Sequence, residues 1–126
     1  MPFITGRVYF FKKCKISNPV KDKFAICISA DDSLFFLINS VDERRPYQHE
    51  VEHVIYLEKH QLNCLSHQSY INVSKIHHIT TEDFQAQIEK ESLTNFVWLA
   101  IKQRALADKL LQRKYKDIIE RSNKKA

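Results

Sequence analysis

Hydrophobic residues along this chain come first as short runs and later as a helical stripe. The densest runs are residues 24–29 (FAICIS) and 33–40 (SLFFLINS), joined by Ala30-Asp31-Asp32. Two strand-length apolar runs around so short a polar join predict a β-hairpin. Neither run alternates cleanly between apolar and polar, so both faces of these strands should be covered, which makes them the inner strands of a small sheet or barrel. Ahead of them, residues 5–12 (TGRVYFFK) read as a first strand, with Val8 and Phe10 on one face and Tyr9 and Phe11 on the other. Residues 52–58 (EHVIYLE) read as a further strand, and residues 69–79 (SYINVSKIHHI) as another with a bulge at Ser74-Lys75. Between these runs, residues 13–23 around Asn18-Pro19 and the charged residues 41–50 around Pro46 read as loops. Residues 59–68 are irregular, with room for a single helical turn.

The pattern changes after residue 80. Thr80 and Thr81 followed by Glu82 and Asp83 predict a helix N-terminus, with Phe84 and Ile88 one turn apart and docked on the sheet. Ser92 offers a second cap, and residues 93–121 contain no Gly or Pro. Phe96, Val97, Ala100 and Ile101 form an apolar stripe that Leu106, Leu110, Tyr115, Ile118 and Ile119 continue less regularly. One helix of about 29 residues would be ~43 Å long. That exceeds the width of so small a domain, so its distal part should project or meet a partner, through Leu106, Leu110, Arg113, Tyr115 and Ile118. A break within residues 103–108 is the alternative. The expected class is α+β: about five short antiparallel strands in a bent sheet or barrel, then a short helix and a long C-terminal helix. The expected division is a barrel over residues 1–80 and a helical extension over residues 81–126.

The length of 126 residues and an apolar fraction of 44% suit one folded domain with one core. A single Gly and three Pro exclude glycine-rich phosphate loops and low-complexity linkers. No apolar run is long enough to span a bilayer, and the N-terminus has no signal-peptide pattern. Cys14, Cys27 and Cys64 make an odd count without CxxC spacing, which fits reduced thiols in the cytoplasm. Of the six histidines, His49 and His53 stand four apart but enter a predicted strand, and His77-His78 point to opposite faces. Without zinc-type spacing, no metal and no cofactor is expected. The net charge of +5 is uneven, because residues 102–126 hold nine basic residues against three acids. A basic segment of this kind suits nucleic acid or an acidic partner, and equally a solubilising helix end.

Two sequence-distant basic groups would meet if the hairpin forms. Lys21 and Lys23 lead into its first strand, and Arg44 and Arg45 follow its second. Together they could bind RNA phosphates, and an Arg there could stabilise charge developing during phosphoryl transfer. His67, Ser69 and Tyr70 reach the same rim if the last strand pairs back. The same cations also suit a solvated loop rim, with Arg44 and Arg45 paired to Asp42 and Glu43.

The order of elements resembles the PemK/MazF-like toxin-fold family over about residues 5–84. The resemblance rests on Gly6-Arg7-Val8-Tyr9-Phe10, on Lys21-Asp22-Lys23 leading into an apolar strand that ends at Ser29, on Leu37-Ile38-Asn39-Ser40, and on the stretch from Ser69 to Ile76. It implies an SH3-like barrel with a C-terminal helix and metal-independent RNA cleavage within a bacterial or phage toxin–antitoxin pair. It also implies catalytic roles for Lys23, Ser40 and Arg45, with Lys21, Arg44, His67, Ser69 and Tyr70 binding substrate. Lys23-Phe24 stands where the family has Arg-Pro, and Ser40 where it has Thr. The implied partners are RNA, an antitoxin or other protein on the C-terminal helix, and a second copy in a homodimer, with no membrane. A non-catalytic binding module of the same fold is the other expectation.

Overall fold

The expected hairpin is present. Strand β2 (Lys21–Ser29) pairs antiparallel with strand β3 (Leu34–Ser40), with Ala25 opposite Leu37 and Ile26 opposite Phe36. The computed structural model of the chain describes residues 3–17, 19–41, 53–66 and 68–125. The join is a tight turn in which the Ser33 N–H donates to the Ala30 carbonyl at 3.3 Å, with Ser33 in the left-handed region at φ 54. Strand β1 (Arg7–Cys14) lies on the other side of β2, with Val8 opposite Ile26, and its register shifts before Cys14 where Lys13 has φ 50.

Both faces of these strands are covered, as their unbroken apolar runs require. One face carries Val8, Ile26, Ile28, Phe36 and Ile38, packed with Leu57, Leu62, Ile71 and Val73 and with the C-terminal helices. The other carries Tyr9, Phe11, Ala25, Cys27, Phe35 and Leu37 and is closed by Phe3, Ile16, Ile79 and Phe84. The Phe3 ring meets Phe35 and Tyr9 edge-on, at centroid distances of 4.8 and 5.1 Å. Cys27 behaves as a small core hydrophobe, its thiol pushed up to about 12 by burial and free of any disulfide.

Beyond β3 stand strands β4 (Val54–Leu57), β5 (Ser69–Asn72) and β6 (His77–His78). The stretch expected as one bulged strand is two. Asn72 accepts from the backbone N–H of Ser74 with its side chain and from that of Lys75 with its carbonyl, which turns the chain. As a result β5 pairs with the end of β3, at Asn39 and Ser40, while β6 pairs with its start, at Leu34 and Phe35.

A short helix expected after residue 80 is absent. Thr81–Asp83 form one 3-10 turn, held reciprocally by Thr80 and Asp83, and strand β7 (Ala86–Ser92) follows. Phe84 docks as expected, but Ile88 is exposed rather than turned onto the sheet. Residues 86–92 are ordinary helix formers; they are a strand because β1 is buried and needs a hydrogen-bonding partner along its outer edge. β7 supplies it from Arg7 to Lys12. The sheet order is β4-β5-β3-β2-β1-β7, with β6 beside β3. Among the described residues β4 and β7 do not pair, so this is an open antiparallel sheet and not a closed barrel.

The single long helix gives way to the alternative of a break, which falls at Asp108 between α1 (Asn95–Ala107) and α2 (Arg113–Arg121), and Thr94 rather than Ser92 caps the first. The break has a chemical cause. Asp108 takes an extended conformation, and its carboxylate accepts from the N–H groups of Leu110 and Leu111 at 2.8 and 3.0 Å. A short acceptor side chain that serves the next turn offers the backbone an alternative to helix. The other carboxylate oxygen meets the His53 ring, so the break is tied to the start of β4. With the direction reversed at Asp108, the distal part does not project. Val97, Trp98, Ile101, Leu111 and Ile119 are buried against the first core, each worth about 1.5–3 kcal/mol.

After α2 the tail returns to the N-terminal segment, where the Lys125 N–H donates to the Thr5 carbonyl at 3.0 Å. Gly6, the one glycine of the chain, sits at φ 90 beneath the Lys124 side chain, which fills the place a Cβ would need. Gly6→Ala should therefore destabilise the protein by about 1–3 kcal/mol, read by urea denaturation.

Burial works against the Asp108 carboxylate, but the His53 hydrogen bond and two backbone N–H groups outweigh it and lower its pKa from 3.8. Such a group adds stability above its unfolded pKa and loses it as the pH falls through the folded one. Asp108→Ala should cost about 3 kcal/mol at neutral pH. The gap from wild type should narrow as the pH drops below 3.8, measured by denaturation across the acid range.

Candidate nucleic-acid interface

The sheet register builds a polar row. Phe11 pairs with Lys23, and Asn39 pairs with Tyr70, which pairs with Tyr56. Lys23 lies opposite Asn39, one step on from the Phe24–Ile38 pair. Directly opposed residues share a face, so Lys23, Asn39, Tyr70 and Tyr56 line one side of four adjacent strands. It is the side of the second core, at the end where its aromatic cover stops.

Lys23 is sunk into this row. It is 8% exposed, and its Nζ donates to Asn39 Oδ1 at 2.7 Å. Burial pushes its pKa down and Lys21 adds to the effect, against a small opposing pull from Cys14. Among the described residues no carboxylate forms an ion pair with it. Lys21, two residues earlier, is exposed on the same face of β2. Tyr70 is half-buried, its hydroxyl pKa raised by burial and then by Tyr56.

β6 places His77 on this face as well, because it pairs with Phe35. The ring is half-buried, and its pKa is lowered from 6.5 by burial first, then by Lys75 and Lys23. The shift favours the uncharged imidazole, the form that can accept a proton. The face thus carries a buried ammonium, the exposed Lys21 and two tyrosine rings at one end of β3, and the His77 imidazole farther along it, opposite Phe35. Ammonium groups hold phosphate oxygens, and tyrosine rings stack on unpaired bases.

The expected site is assembled only in part. Lys21, Lys23 and Tyr70 come together. Arg44, Arg45 and His67 lie outside the described residues. Ser40 and Ser69 pair with each other one position beyond Asn39 and Tyr70, so they turn to the opposite face, and Ser69 is buried there beside Leu57. Of the expected partner-binding set, Leu106 and Tyr115 pack on the first core, while Leu110 and Arg113 are exposed. Ile118 lines a polar cleft of about 230 Å³ with Thr5, Ser29, Asp31, Asp32 and Arg121, at the other end of β2 from Lys23. That cleft is spent on structure, since Ser29 donates to Asp32 at 2.7 Å and Thr5 accepts from the Ala30 N–H at 2.9 Å. Sequence reasoning missed Asn39, Tyr56, Lys75 and His77. Asn39 and Tyr56 could have been found by extending the hairpin register outward from Lys23.

No protein-family model and no curated protein matches the sequence.

Because Lys23 is one cause of the depressed His77 pKa, Lys23→Met should raise that pKa. It should stay below 6.5, since burial is the larger cause. A pH titration of the His77 ring resonances by NMR reads both shifts.

Proposed function

We propose that the protein is a cytoplasmic, metal-independent endoribonuclease of the PemK/MazF-like type, acting as the toxin of a toxin–antitoxin pair. The observation that carries this reading is the row Lys23–Asn39–Tyr70–Tyr56 with His77 on the same face. In it Lys23 takes the place of the family's arginine, and His77 lies on the same face farther along β3, opposite Phe35.

Each group has a role in this reading. Lys21 and Lys75 hold backbone phosphates, while Tyr70 and Tyr56 stack on the bases next to the scissile bond. His77 takes the proton of the 2′-hydroxyl, whose oxygen then bonds to phosphorus. The Lys23 ammonium neutralises the charge that builds on the phosphoryl oxygens. As the bond from phosphorus to the 5′ oxygen breaks, Lys23 passes that oxygen a proton. The products are a 2′,3′-cyclic phosphate and a free 5′-hydroxyl. No antitoxin residue enters the site in this account.

Purified protein should cleave single-stranded RNA in EDTA. His77→Ala should slow the reaction about 10²–10⁴-fold and Lys23→Ala about 10²–10³-fold, whereas Ser40→Ala should stay near wild type. The rate should rise with pH through the His77 pKa as the imidazole becomes neutral. RNA binding that needs Lys23 but yields no cleavage would replace this reading with the non-catalytic module.

A further inference from the structure

Among the described residues, the outer face of α1 leaves large apolar side chains exposed. Phe96 is 75% exposed and Leu99 is 52% exposed, one helical turn apart. Gln103 continues the line at +4, and Leu106, the next position, is half-buried against the first core. Leu110 stands 63% exposed in the turn that follows. A well-folded small protein rarely leaves several large apolar groups together in water unless something covers them.

The charges around this seam say what kind of cover fits. From Thr94 to Lys116 the basic residues are Lys102, Arg104, Lys109, Arg113, Lys114 and Lys116. The only acid in that stretch is Asp108, which is buried and bonded to His53. Two copies of this face laid together would set like charges against each other along the seam. A chain with apolar residues at helical spacing and acids on its flanks satisfies both the seam and its border.

We infer that the Phe96–Leu99 face of α1, with the basic turn after it, is a docking site for an acidic amphipathic helix of another protein. Phe96 and Leu99 are the apolar anchors, and Lys109 and Arg113 pair with acids on the occupant. The site lies on the helices that cover the first core, while the Lys23 row belongs to the opposite face of the sheet, so it stands independently of the nuclease reading.

The test uses the full chain and two synthetic peptides of about three heptads, both with Leu at the seam positions, one flanked by Glu and the other by Lys. The Glu peptide should bind, and binding should weaken as salt rises from about 0.05 to about 0.5 M. The double variant Phe96→Ser, Leu99→Ser should lose about tenfold or more in affinity while its far-ultraviolet dichroism is unchanged. Lys109→Glu with Arg113→Glu should weaken the Glu peptide and strengthen the Lys peptide. Equal binding of both peptides, binding of neither, or a dimer that Leu99→Glu dissociates would overturn the inference.

Discussion

Burial of β2 and β3 on both faces is the constraint from which the rest of the structure follows. A sheet wet on one side needs a single cover, but these strands need two, and the hairpin supplies neither. The C-terminal helices give one, through Trp98, Ile101 and Ile119. Phe3, Ile16, Ile79 and Phe84, drawn from four separate parts of the chain, give the other. The second cover is small. Along β3 it reaches Leu37, which is buried, and ends before Asn39, which is not fully covered. Asn39, Tyr70 and Tyr56 stay partly open at the Lys23 end because the aromatic lid does not extend over them.

What could be read from the sequence divides along the same line. The hairpin, β1 and the coverage of both faces were legible because apolar runs state them directly. β7 was not, since Gln87, Glu89, Lys90 and Glu91 favour helix and Ile88 gives no alternation. Its reason for being a strand lies in β1, whose outer edge it completes, and no local window contains that demand. The helix break was half legible. Absence of Gly and Pro argued for continuity, yet Asp108 makes the break by bonding forward to Leu110 and Leu111. His53, which secures that aspartate, is fifty-five residues away in sequence.

The candidate site shows how a correct hairpin still leaves side-chain placement open. Lys21 and Lys23 were readable because two flanks of one hairpin must share an end. The family resemblance put Ser40 in the same site, but alternation along β3 sends Asn39 to the face of Lys23 and Ser40 away from it. A one-residue difference in strand position selects the face, so an argument from proximity to a rim cannot choose between neighbours. His77 was hidden for another reason. It reaches the face only because the Asn72 turn splits the last expected strand and sets His77 against Phe35.

Lysine rather than arginine at position 23 fits this burial. A guanidinium stays charged in any protein setting, whereas an amine can give up its proton when desolvated. Lys23 is desolvated, neighbours another lysine, and has a neutral amide oxygen as its hydrogen-bond partner, three conditions that each favour the uncharged form or fail to oppose it. On the proposed reading a single side chain can then hold a phosphoryl oxygen and later release a proton to the departing one. An arginine there could do only the first. The same positive charge adds to burial and to Lys75 in lowering the His77 pKa, so the group that would stabilise the product also helps ready the base. Loss of Lys23 would act on both at once, whereas loss of His77 would leave phosphate binding in place.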